Sequence, residues 1–242
     1  MTANEMANKL EFLLDRANSF GSPGYTDEEI SSILSSAQIQ YVKRFFNYKN
    51  NAHQTGFEET EARGQGLSAL IQDSGLLAPS SLQVGVLPDG VFYDLPKDFM
   101  FTIYELVYIN RNNCDDGKPT SAGVRVVSHD EYSAFKSNPY KKPYADNLGA
   151  SVFRMYFNPH QVTDRKRHEL ITDGTFDITS YRMRYLKNPV DIVVSRQTPD
   201  NQVSCELDEF THEVIVDIAR DLMLEVVKEQ KLDNEIDIEN FE

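Results

Sequence analysis

Apolar residues recur every three to four positions near the start of the chain. Met6, Leu10, Leu13, Leu14 and Ala17 fall on one side of a helix predicted over residues 3–20. Gly21-Ser22-Pro23-Gly24 breaks it. Thr26 then stands as an N-cap with Glu29 three residues on, the pattern of a capping box, and the acidic first turn suits the helix dipole. The helix that follows carries Ile30, Ile33, Leu34, Ala37, Ile39, Tyr41, Val42, Phe45 and Phe46, a wide apolar face that predicts a core helix. Residues 49–58 read as a polar loop. A third helix is expected from about Glu58 to Asp73, weakened by Gly64 and Gly66 and closed off before Pro79.

Beyond Pro79 the period shortens from that of a helix to that of a strand. A long apolar run, Phe99 to Asn110, leads to a hairpin tip at Cys114-Asp115-Asp116-Gly117-Lys118, and Ala122 to His129 returns as its partner. His129 to Pro139 gives one short helix with Ser128 or Asp130 near its cap, and Pro139 and Pro143 keep the next loop extended. Three alternating stretches follow, beginning at Ser151, Arg165 and Tyr181. In the last, Tyr181, Met183 and Tyr185 point one way and Arg182 and Arg184 the other, until Asn188-Pro189 stops the strand. A second apolar run, Ile192-Val193-Val194, precedes a helix from about Asp208 to Lys231. Its apolar stripe is read as Phe210, Val214, Ile218, Leu222 and Val226, widened by Ile215, Ala219 and Met223.

The order helices, strands, helix predicts an α+β fold. Three N-terminal helices and the long C-terminal one form a bundle, and an antiparallel β-rich domain is inserted between them. The expected divisions are 1–78 for the first part of the bundle, 79–204 for the β-rich insertion, 205–231 for the closing helix and 232–242 for an acidic docking tail.

Composition narrows the function. The chain has 242 residues, 40% hydrophobic and 26% charged, which is globular rather than disordered. A net charge of −14 argues against a protein that clamps DNA over its whole surface. Cys114 and Cys205 have neither a CxxC partner nor a histidine at ligand spacing, so no disulfide framework or zinc site is expected, and a reducing compartment fits. The N-terminal stretch reads as polar and amphipathic rather than as a signal peptide, and no segment is long and apolar enough to span a bilayer.

Charge is unevenly placed. Between Lys141 and Lys187 nine Lys and Arg face five Asp and Glu, so the β region is locally positive. The end of the chain, Asp233 to Glu242, is acidic with Ile236, Ile238 and Phe241 interleaved, a pattern suited to a segment that orders on a partner. The Gly-rich stretches lack the Lys-Ser/Thr of a phosphate loop, and no GxSxG elbow occurs. His53, His129, His160, His168 and His212 stand singly; His168-Glu169 and His212-Glu213 lack the second histidine of a helical zinc protease. No catalytic residue, metal or cofactor is assigned. A hydrolase would need His168 or His212 to meet carboxylates in a cleft.

The strand and helix near the C-terminus carry a resemblance. Tyr181, Tyr185 and Pro189, followed by Leu207, Glu209, His212, Ile215 and Ile218-Ala219, resemble the C-terminal signature of phage tail-adaptor proteins, the head-to-tail ring proteins of short-tailed phages. Tyr25 to Phe46 resembles the first long bundle helix of that group, and Asn138 to Pro143 resembles a motif of structural proteins in crAss-like phages. Asp208 departs from the proline common there, which alters the helix start but not its plan.

The resemblance implies a structural virion protein of the tail or collar. It would form a ring, expected as a dodecamer, beneath the portal protein. The ring would extend the channel through which genomic DNA passes without specific binding, and would seat the adjacent tail ring or tail tube proteins. On that reading Arg154, Arg165, Lys166, Arg167, Arg182 and Arg184 are expected at subunit interfaces, with Asp233, Ile236, Ile238 and Phe241 docking on the portal or a partner. The alternative is a nucleic-acid-binding module using the basic, aromatic β face of residues 141–187. There Tyr140, Tyr144, Phe153, Tyr156 and Tyr185 would stack bases.

Overall fold

The computed structural model describes residues 1–17, 24–46, 61–80, 89–111, 120–146, 149–156 and 166–239. The chain divides into two units, Met1–Leu70 with Asn188–Glu242, and Ile71–Lys187.

The first unit is helical. It comprises α1 (Ala3–Ala17), α2 (Asp27–Phe46), the short α3 (Glu61–Ser68) and α5 (Glu209–Glu239), with α4 (His129–Ser137) lying in the other unit. The capping box at α2 forms as expected: Thr26 Oγ1 accepts the Glu29 N–H at 3.3 Å, and Glu29 Oε2 accepts the Thr26 N–H at 2.9 Å. The Thr26 N–H and hydroxyl, both donating to Glu29 Oε2, hold the exposed Glu29 carboxyl below its usual range. Met6, Leu10 and Leu14 of α1, Ile30, Leu34, Tyr41 and Val42 of α2, and Ile215, Val216, Ala219 and Met223 of α5 are buried.

The run Ile192-Val193-Val194 makes no sheet strand. Its N–H groups find side chains on α2 instead: Ile192 donates to Ser35 Oγ at 3.0 Å and Val194 to Ser31 Oγ at 2.9 Å. The two serines are four residues apart, on one helix face, which matches the alternate N–H groups of an extended chain. Val193 closes a single bridge with Val203, and Ile192 and Val194 are buried.

Two expectations for this unit change. The third helix stops at Ser68, and a strand, not a helix, begins at Ile71. The stretch Gln72-Asp73-Ser74-Gly75 has little helix propensity, and Gly75 sits at φ +65°, outside helical space. The last helix continues past Lys231 to Glu239, so Asp233, Ile236 and Ile238 lie on helical backbone, while Phe241 lies outside the described residues.

The second unit holds β1 (Ile71–Leu77), β2 (Gly90–Asp94), β3 (Phe99–Arg111), β4 (Thr120–Val126), α4 (His129–Ser137), β5 (Tyr144–Ala145), β6 (Ala150–Tyr156), β7 (Arg167–Ile171) and β8 (Phe176–Lys187). The expected hairpin tip at Cys114–Lys118 lies outside the described residues. The strands form one sheet in the order β1-β8-β3-β4-β6-β7-β2, with β5 on β6. It is mixed rather than antiparallel, because β4 pairs with β6 in parallel, Gly123 opposite Ser151. A parallel step needs a crossover, and α4 with β5 supplies it. The expected limits of this insertion were 79 and 204. The strand-rich unit runs instead from Ile71 to Lys187, because β1 joins it at one end and Pro189 closes it at the other.

The sheet curls. Four strand steps separate β7 from β8, about 19 Å in a flat sheet, yet His168 on β7 hydrogen-bonds Tyr181 on β8 at 2.9 Å. The concave side encloses Tyr93, Leu95, Phe99, Val107, Ile109, Val152, Leu170, Phe176, Tyr181, Met183 and Tyr185. Behind β6 and β7, α4 packs Tyr132 and Phe135 on Phe153, Met155 and Ile171, so these two strands are covered on both faces.

Candidate functional site

The alternation in β8 holds: Tyr181, Met183 and Tyr185 are buried, and Arg182 and Arg184 are exposed. On the convex side β8 lies between β1 and β3, and opposed residues share a face. One row reads Asp73, Arg184, Tyr104 and the next Leu76, Arg182, Leu106. Arg182 grips Asp73 with both ends of its fork, Nε at 3.1 Å and Nη2 at 2.8 Å. That grip holds the Asp73 carboxyl below its usual range, with the Gly75 N–H and Arg184 contributing. Among the described residues Arg184 forms no ion pair. Leu76 is 66% and Tyr104 56% exposed. A dent of about 290 Å³ lies among Asp73, Tyr104, Leu106, Arg182, Met183 and Arg184. Two arginines against one aspartate leave the patch positive, with apolar and aromatic surface beside it, the composition favoured where proteins bind one another.

β1 is a sheet edge, and its bulge is built in. The register slips between Asp73 and Leu76. Asp73 Oδ1 accepts the Gly75 N–H at 2.8 Å, and Ser74 Oγ takes the Met183 N–H at 3.0 Å that the bulge leaves unmatched. A bulge with a charged residue blunts an edge against indiscriminate strand pairing.

The other interface candidates are not alike. Arg154 and Arg167 are buried. Arg167 Nε donates to Asp94 Oδ1 at 2.5 Å, its cross-strand partner on β2. Arg154 points into the concave side, donating to Thr102 Oγ1 and Glu105 Oε1 at 3.0 Å each and to the Tyr156 hydroxyl at 3.0 Å. These two cations are neutralised within the unit and present no charge at its surface. Lys166 is exposed, donates to the Phe99 carbonyl at 3.1 Å and lies over the Phe99 ring. Arg165 lies outside the described residues.

Arg154 belongs to a buried polar network that the sequence did not reveal. Tyr181 donates its hydroxyl proton to Glu105 and receives His168 Nδ1–H at 2.9 Å, which fixes His168 in the tautomer with its proton on Nδ1. His168 is wedged between Phe99 and Tyr156, ring centroids 5.6 and 5.3 Å away, and among the described residues its Nε2 has no hydrogen-bond partner. Burial pushes the His168 imidazole down to about 3, and the Arg154 charge adds to this. Burial pushes Glu105 up, while Arg154 and the Tyr181 hydroxyl hold it back. Tyr181 is raised by burial and by Glu105. The arrangement is a neutral histidine beside a paired carboxylate, enclosed by apolar rings, and it ties β3, β6, β7 and β8 together.

The nucleic-acid reading loses its platform. Phe153 and Tyr185 are buried, in separate core clusters, while Tyr140, Tyr144 and Tyr156 are exposed. Two of its arginines, Arg154 and Arg167, are held by Glu105 and Asp94. Both histidines of the hydrolase reading are buried, His168 in the apolar surroundings just described and His212 with its Nε2 at 2.9 Å from the Leu207 carbonyl. Among the described residues no cluster of His, Cys, Asp and Glu could hold a metal ion, and no helix is long and apolar enough to cross a membrane.

Comparison with known proteins bears on the family resemblance. The chain is 28% identical over 236 residues to "Ring protein 4/5" of Bacteroides phage crAss001, covering 92% of each chain. It is 29% identical over 237 residues to "Ring protein 3" of the same phage, covering 93% of this chain and 95% of the relative. The profile described as phage tail ring protein 3/4 matches residues 1–235, nearly the whole length, and the chain belongs to that family of phage tail ring proteins.

Proposed function

We propose that the protein is a structural subunit of a tail ring placed near the portal, with about twelve copies closing by cyclic symmetry. The ring extends the DNA channel and joins the portal to the next tail component. Family membership supports the ring. The observation that carries the assembly surface is the convex β1–β8–β3 face, where Arg184, Tyr104 and Leu76 stand in solvent on a sheet whose concave side is packed. Of the interface candidates, Arg182, Arg184 and Lys166 are exposed and serve in this reading; Arg154 and Arg167 are buried in ion pairs within their unit. The acidic stretch from Asp233 is proposed to dock on the portal or a neighbouring ring. A net charge of −14 suits a channel that DNA traverses without adhering.

Purified full-length chain, alone and mixed with its portal, tests this by native mass spectrometry and electron microscopy. Closed rings of about twelve copies, stacked on the portal, are expected. A monomer with no portal affinity at high concentration overturns the proposal.

A further inference from the structure

A ring whose copies meet head to tail needs two different faces that fit each other. The convex β face is one. The second is sought on the helical unit, where α5 carries more apolar surface than its bundle covers. Phe210 is 48% and Val214 39% exposed, although α5 buries Thr211, His212, Ile215, Val216, Ala219 and Met223. At 100° per residue, positions 210, 214, 217 and 221 fall within about 60° of one another on the outward side of the helix. This stripe reads Phe210, Val214, Asp217, Asp221, apolar in its first half and acidic in its second. Among the described residues Asp217 and Asp221 both ion-pair with Arg220, at 3.4 and 2.7 Å, which leaves the stripe itself one negative charge.

The β face has the matching composition. Arg182 is paired with Asp73 while Arg184 forms no ion pair among the described residues, which leaves one positive charge, and Tyr104, Leu106 and Leu76 flank them. Spacing matches as well. Residues four apart on a helix rise about 6 Å, and residues two apart on a strand about 6.8 Å. Asp217 and Asp221 are therefore separated along α5 by nearly the distance between Arg182 and Arg184 along β8. With the helix laid along β8, the acids meet the arginines, with Leu76 on one side and Tyr104 and Leu106 on the other.

We propose that the Phe210–Asp221 stripe of α5 docks on the Arg182/Arg184–Tyr104 face of a second copy of this chain, forming the repeating contact of the ring. The inference rests on the ring reading above and names its two faces. Because they lie on different units, one copy uses both, and each new copy leaves a free face until the ring closes.

Charge exchange between two variants tests it. One variant carries Arg182→Glu and Arg184→Glu; the other carries Asp217→Arg and Asp221→Arg. All four positions are on exposed surface, Arg182 being held there by Asp73 and Tyr108. Each variant alone places like charges face to face and is expected to need at least about tenfold more protein to assemble. Mixed one to one, each contact again joins opposite charges, wild-type pairs alternating with reversed pairs, so rings should return. Their return also shows that both variants fold. Failure of the mixture to restore rings overturns the pairing, as does unimpaired assembly of either variant, while wild-type rings in the same experiment leave the ring reading standing. A wild-type protein that stays monomeric sinks both.

Discussion

The buried His168 makes the β unit acid-labile by a predictable amount. In the folded chain its imidazole is held down to about 3 from an ordinary 6.5. As pH falls through 6.5 the unfolded chain takes up a proton there and the folded chain does not, so stability is full above that pH and is lost progressively toward 3. Each pH unit in this window costs about 1.4 kcal/mol, so acidification from pH 6.5 to about pH 4.5 removes about 3 kcal/mol through this one residue. Glu105 works in the opposite direction, because its raised carboxyl takes a proton more readily when folded. That contribution is common to wild type and variant and cancels to first order in their difference. His168→Phe keeps an aromatic ring between Phe99 and Tyr156 and deletes one hydrogen bond to Tyr181, which retains Glu105 as acceptor. The variant should be about 1 kcal/mol less stable at pH 7.5 and more stable than wild type at pH 4.5. Urea titrations across pH, followed by hydrogen exchange of β7 and β8 amides, resolve this unit in a chain that has no tryptophan. Parallel stability curves, with the gap between the two proteins unchanged from pH 7.5 to 4.5, would refute the reasoning.

Other substitutions test other parts. Arg154→Met leaves Glu105 without its cation and should cost about 3–5 kcal/mol at neutral pH. The loss should shrink in acid as Glu105 protonates, measured by the same titrations. Gly66→Ala places a methyl 3.0 Å from the Tyr41 hydroxyl and 3.3 Å from Thr211 Cγ2, where α3 meets α2 and α5. Crowding should outweigh the gain in helix propensity by about 1 kcal/mol, read from the urea midpoint of the helical unit. Thr26→Ala removes the α2 cap and should cost about 1 kcal/mol, with exchange accelerated in the first turn of α2.

How much of this was legible in the chain depended on whether a side chain's surroundings follow from its own element. The two faces of β8 were readable because strand alternation needs no knowledge of neighbours, and the α2 cap was readable because Thr26 and Glu29 satisfy each other locally. β1 and β2 were missed: the first is polar and bulged at Gly75, and the second is five residues long. The interface assignment of Arg154 and Arg167 assumed that alternate residues of β6 and β7 face water, yet a curled sheet on one side and α4 on the other cover both faces. The α5 stripe was read along the i+4 row. The core is held instead by the neighbouring row, Ile215, Ala219 and Met223, which starts about 100° farther round the helix, so Phe210 and Val214 turn outward. The network of Glu105, Arg154, His168 and Tyr181 draws on four strands that only sheet curvature brings together, and no local pattern announces it.

The central claim is that the convex β1–β8–β3 face is buried between copies in the assembled tail. An electron cryomicroscopy reconstruction of the ring at side-chain resolution tests it directly. Arg184, Tyr104 and Leu76 should lie against the neighbouring subunit, with Asp217 and Asp221 of α5 within ion-pair distance of the arginines. Finding that face open to solvent all around a complete ring would contradict the account.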